Sequence, residues 1–269
     1  AVLASTSPLL QKTAHIANLK KNVFTYFSLS NTASLIGLIS YPFIIEPYIT
    51  LQRQSLVWSA SYALFVGLSL LLTSKKLHKK EEIKKVQASI SLKRKLNWII
   101  FAAIPTVLFL ATTQFLTQDI ASIPFLWVVP LSVYLLSFSL AFNGKKIKNN
   151  QLSAALIFLA ATAFLYVISV SIDAQAIELI ITANIGLLII AYFMHLELYE
   201  SRPSAGQLEL FYVYIAIGGA IGGIIVSIIL PLLVPTNIDL HLFFIIAVGI
   251  LILKWRSMTL ANNNIVTLF

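Results

Sequence analysis

Cysteine is absent from the 269 residues. Its absence removes disulfides, thiolate nucleophiles and cysteine-ligated metal clusters, and leaves nothing from which to read a redox compartment. Charge is scarce too: Asp, Glu, Lys and Arg make up 11% of the chain, against roughly a quarter in a soluble domain. His15, His78, His195 and His241 are scattered and never fall at a metal-pair spacing such as H-E-x-x-H, so neither a metal nor any other cofactor is expected. No basic stretch followed by a short apolar core and a cleavage site marks a secretory leader. The chain begins Ala1-Val2-Leu3-Ala4-Ser5 rather than with methionine, which reads as a processed end, an internal fragment, or a start partway along a longer chain.

What the sequence has in abundance is apolar surface: 58% of residues are hydrophobic and the mean hydropathy is +0.88. Lipid is therefore the expected solvent, and a single all-α membrane domain, a polytopic transmembrane bundle, is the expected fold. Eight apolar segments can be marked: Val23 to Ile45, Leu56 to Leu72, Leu96 to Leu116, Pro124 to Phe142, Leu152 to Val170, Ile177 to Leu196, Phe211 to Val234 and Leu240 to Leu253. A helix rises about 1.5 Å per residue and the hydrocarbon core is about 30 Å thick, so roughly 20 residues make a span. The first seven segments suffice, whereas the eighth is short enough to read as a thinned, buried or re-entrant span.

Orientation follows from the cations, because Lys and Arg are retained in short cytoplasmic loops. With eight spans, all of the 19 basic residues but Arg53 share one side: Lys12, Lys20, Lys21, the run from Lys75 to Lys95, Lys145, Lys146, Lys148, Arg202, Lys254 and Arg256. The other side keeps Arg53 with Glu46, Asp119, Asp173, Glu178 and Asp239. Both termini are thus expected in the cytoplasm. Trp58, Trp98, Trp127 and Trp255 all fall at segment ends, the level that indole rings favour.

Each polar motif carries a functional and a plainer reading. The basic loop from 74 to 95 holds Lys75, Lys76, Lys79, Lys80, Lys84, Lys85, Lys93, Arg94 and Lys95. It can contact lipid headgroups or an anionic partner, or simply mark the cytoplasmic side. Nucleic acid is not an expected partner, because the charge follows topology and no base-stacking aromatic array accompanies it. Gly218, Gly219, Gly222 and Gly223 form two overlapping G-x-x-x-G patterns inside an apolar run. With no strand before them they are no nucleotide loop, and they read as a helix-packing face within the bundle or at a subunit contact.

The most polar stretch between spans contains Gln114, Thr117 and Asp119. Asp119 reads either as a ligand site near membrane depth or as a solvated turn or cap for a helix starting near Pro124. Glu46, between Pro42 and Pro47, marks either a cation site at a broken helix end or an exit turn, with Arg53 able to pair with Glu46 or Asp119. His195 with Glu197, Glu200, Arg202 and Glu209 reads as a proton relay or, more plainly, as a solvated helix end.

Several stretches together resemble one bacterial family, the fused major-facilitator-like and spermidine-synthase-like membrane proteins. They are Ser7 to Gln11, Ser30-Asn31 leading to Tyr41-Pro42 and Glu46-Pro47, Gln54-Ser55 with Trp58 to Tyr62, and above all Leu116 to Leu136. Arg202-Pro203, Phe211-Tyr212 and the glycine run with Leu230-Pro231-Leu232 extend the match. The resemblance implies a major-facilitator-like membrane domain that precedes an aminopropyltransferase-like domain in that family. No glycine-rich strand-turn-helix unit is found here, so the enzymatic label is not carried over. The expected function is a non-catalytic accessory or structural subunit of a membrane assembly, in contact with lipids and with other membrane subunits. The alternative is a transporter-like module for a small organic cation such as a polyamine, held by the outer acids with Tyr41, Tyr48, Trp58 and Trp127.

Overall fold

The structure is a computed structural model, and it describes residues 23–74, 90–120, 126–143, 150–169, 176–204, 207–233 and 239–266. Among them there are eight helices and no strand. Helix α1, Val23–Ser40, runs on through a π turn, Tyr41–Ile45, and the short piece Glu46–Tyr48. Then come α2, Leu51–Ser74; α3, Leu92–Gln114, with a π extension Phe115–Ile120; α4, Val128–Phe142; and α5, Asn150–Ser169. Helix α6 is Ala176–Glu200, α7 is Leu208–Ile224 with a π turn Ile225–Ile229 and Leu230–Leu233, and α8 is Asp239–Val266.

Five stretches are long and apolar enough to cross a membrane by length and composition: Thr25–Tyr48, Leu51–Leu71, Leu92–Gln118, Ala176–Glu200 and Leu208–Leu233. The chain is an all-α, multi-pass, membrane-embedded bundle. Three boundaries differ from the sequence expectation. Helix α3 starts at Leu92, so Lys93, Arg94 and Lys95 are its first turn rather than the end of a loop. Helix α4 starts at Val128 with Trp127 at its N-cap and no side-chain cap bond, so no acidic cap opens it near Pro124. Helix α8 has 28 residues; its apolar part, Leu240–Lys254, is short as expected, and the helix continues past it.

The described residues fall into two compact units, those lying within Ile36–Ser89 and those lying within Ala1–Leu35 and Ile90–Phe269. In the smaller unit, Pro42 and Pro47 withhold two backbone donors, and the ladder loosens into the π turn before Ile49 turns extended at φ −122° and ψ 119°. The carbonyl freed at Ile49 accepts from the Gln54 amide at 2.8 Å, and Tyr41 donates its hydroxyl to the same side chain at 3.3 Å. Gln54 is buried while most of α2 is exposed.

In the larger unit, side-chain contacts fix the helix directions. Helices α3 and α7 run the same way, since Trp98 meets Phe211 while Ala103 and Thr106 meet Gly222. Helix α4 runs parallel to α6, since Phe138 meets His195 and Phe142 meets Tyr199. Helix α8 runs with α6 also, Phe244 lying on Gly186 and Lys254 pairing with Glu197 at 2.7 Å. Arg94 near the start of α3 meets Ser201 just past the end of α6, so α3 opposes α6. Helices α4, α6 and α8 therefore run one way and α3 and α7 the other.

Lipid removes most of the hydrophobic drive between helices, leaving close packing and interhelical hydrogen bonds to hold them. Both are present. Ser28 of α1 donates to the Ser139 carbonyl of α4 at 2.6 Å, and Thr32 bonds the Ser139 hydroxyl. Phe27 packs among Phe138, Phe142 and Tyr212.

Candidate functional site

His195 is fully buried, as deeply as any polar side chain among the described residues. This corrects the plainer sequence reading of a solvated helix end. Its ring stacks on Phe138 with centroids 3.6 Å apart and meets the edge of Tyr134 at 5.2 Å. Nδ1 lies 2.9 Å from the Ser137 hydroxyl. That hydroxyl donates its only hydrogen to the Tyr134 carbonyl at 2.7 Å, so Ser137 accepts from Nδ1–H and Nε2 carries the bare lone pair. Nε2 is buried, with no hydrogen-bond partner among the described residues.

A serine and a histidine at this distance are the first two members of a nucleophile–base pair. Ser137 shows no exposed surface and sits mid-helix, where neighbouring backbone N–H groups are held in the ladder and none is free to receive an oxyanion. The pair is suited to joining α4 to α6. Ser137 was not legible beside His195 because 58 residues separate them; serines recur along α4, and nothing in sequence distinguishes this one.

A second polar cluster closes the end of α6, where the last carbonyls of a helix need outside donors. Arg94 supplies Nε to Ser201 O at 2.9 Å and an η-nitrogen to Arg202 O at 2.7 Å, and Trp98 Nε1 donates to Ser201 O at 3.0 Å. Trp98 is therefore a buried capping residue that faces the bundle rather than lipid. Arg202 lies over the Tyr199 ring at 3.7 Å and Lys95 over Tyr214 at 5.7 Å. Of the cations assigned to lipid contact, Arg94 is held by these carbonyls and Lys93 is exposed. Lys75, Lys76, Lys79, Lys80, Lys84 and Lys85 lie outside the described residues.

The four glycines divide. A Cβ on Gly218 would stand 2.6 Å from Ile99 O and 2.8 Å from Ala102 Cβ; one on Gly222 would stand 2.8 Å from Ala103 O. These two let α7 lie backbone to backbone on α3. Gly219 is looser, 3.8 Å from Thr106 Oγ1, and Gly223 has open space around it.

Of the remaining candidates, Glu46 and Arg53 belong to the smaller unit and Gln114 and Thr117 to the larger. Thr117 bonds back to Thr113 O at 2.8 Å and Gln114 is half-buried, both on the continuing helix rather than on a turn. The Asp119 side chain lies outside the described residues, although its backbone belongs to the π extension. Glu46 and Arg53 are exposed, and no ion pair joins them among the described residues. Tyr48, Trp58 and Trp127 are exposed as well. Among the described residues no group of three His, Asp or Glu side chains could hold a metal ion. A cavity of about 340 Å³ is lined by Leu140, Asn143, Leu156, Leu188, Ile189, Tyr192 and Phe193, with no acid or base in its wall.

Comparison with protein-family models, with curated proteins and with solved structures returns no match to this chain.

Proposed function

We propose that the chain is a non-catalytic, multi-pass subunit of a membrane assembly, docked through the outward half of its glycine face. The observation that carries this reading is the division of the glycines. One pair four residues apart, Gly218 and Gly222, is filled by α3, while a Cβ at Gly219 would make only an ordinary contact with Thr106 Oγ1, at 3.8 Å, and Gly223 has open space. Ala216, Ala220 and Ile224 beside them are exposed, leaving a smooth small-residue surface of the kind that receives another helix in lipid. The buried polar groups support the same reading, because His195, Ser137, Ser139, Arg94 and Trp98 bond other helices instead of converging on the cavity.

The bacterial inner membrane, with both termini cytoplasmic, is the location proposed. Arg94, Lys95, Arg202 and Lys254 gather where α3 begins and α6 ends, and that end would face the cytoplasm. The resemblance to the membrane part of the synthase-like fusion proteins belongs to this proposal.

Extraction of the native protein in mild detergent after in-membrane crosslinking tests it. The chain is expected to migrate with one or more partner subunits, and Gly219→Leu or Gly223→Leu is expected to abolish the crosslinks while folded yield stays normal. A lone monomer, or crosslinks unchanged in both variants, would overturn the proposal.

A further inference from the structure

We draw no further inference here: the strongest candidate, the buried His195 side chain between α4 and α6, whose Nε2 has no hydrogen-bond partner among the described residues, carries none because its ring is fully buried against Phe138 and Tyr134 and the cavity beside α6 is lined by other residues, so that nothing in the structure shows what would meet that nitrogen.

Discussion

Adding one methyl group at Gly218 or at Gly222 is expected to loosen the bundle, whereas the same change at Gly223 is expected to leave it intact. Alanine is favoured over glycine in a helix by about 1 kcal/mol, so propensity alone would make all three substitutions stabilising. Packing reverses the sign at two of them. A Cβ on Gly218 would approach the Ile99 carbonyl to 2.6 Å, and one on Gly222 the Ala103 carbonyl to 2.8 Å. These are backbone atoms of α3 that cannot swing away as a side-chain end could. Overpacking of this kind costs about 1–3 kcal/mol, and it falls on α3 and α7, the most extensive helix pair in the protein. Thermal unfolding in detergent is the measurement. Gly218→Ala and Gly222→Ala are expected to lower the midpoint, with the corresponding leucines abolishing folded yield, while Gly223→Ala stays at or above the parent. Equal effects at all three positions would contradict the packing described.

The second large effect is expected at His195. Truncation to alanine removes a fully buried ring from between Phe138 and Tyr134, and loss of a buried aromatic costs about 3–5 kcal/mol through the cavity left behind. Phenylalanine at the same position keeps the volume. Ser137 retains its bond to the Tyr134 carbonyl, so no new buried donor is orphaned, and Nε2, which has no partner among the described residues, takes no bond with it. His195→Phe is therefore expected to stay within about 1.5 kcal/mol of the parent, as volume-conserving exchanges do. Ser137→Ala is expected to cost more than its small size suggests, about 1–3 kcal/mol, because it strands the buried Nδ1–H. Folded yield and thermal midpoint of the three variants separate these cases. A His195→Phe protein as unstable as His195→Ala would show that the ring nitrogens, not the ring volume, hold the site.

Much of the architecture was legible because lipid imposes a coarse rule on sequence: long apolar stretches, interrupted where cations or prolines collect. The helices from Val23, Ala176 and Leu208 follow that rule, with starts within three residues of the expected ones, whereas the helix expected from Leu56 opens five residues earlier, at Leu51. The failures have physical causes. Lys93, Arg94 and Lys95 look like loop residues, yet they open α3 because Arg94 finds the end carbonyls of α6. The α8 helix outlasts its apolar run, since helical hydrogen bonding does not stop where hydropathy does. The Gln114 to Asp119 stretch looks like a turn because it is polar, and it is helical because Thr113 and Thr117 return their hydroxyls to carbonyls one turn back.

The site was less legible than the fold. The glycine run announced a packing face, but which pair faces inward depends on where Ile99, Ala102 and Ala103 fall on another helix. His195 was visible as a lone histidine near carboxylates, and its real neighbours, Tyr134, Ser137 and Phe138, come from a helix far away in sequence. Pairings of this sort are properties of the assembled bundle and leave no local spacing to read.

The crossing pattern is open to one direct measurement, and the absence of cysteine makes it free of background. Single cysteines at Thr50, Ser91, Ala176 and Ser204, all exposed, can be challenged in intact spheroplasts with a membrane-impermeant maleimide. Thr50→Cys and Ala176→Cys are expected to label at once, and Ser91→Cys and Ser204→Cys only after permeabilisation. Labelling of all four from the same side would contradict the alternating bundle, and the reverse pattern would contradict its orientation.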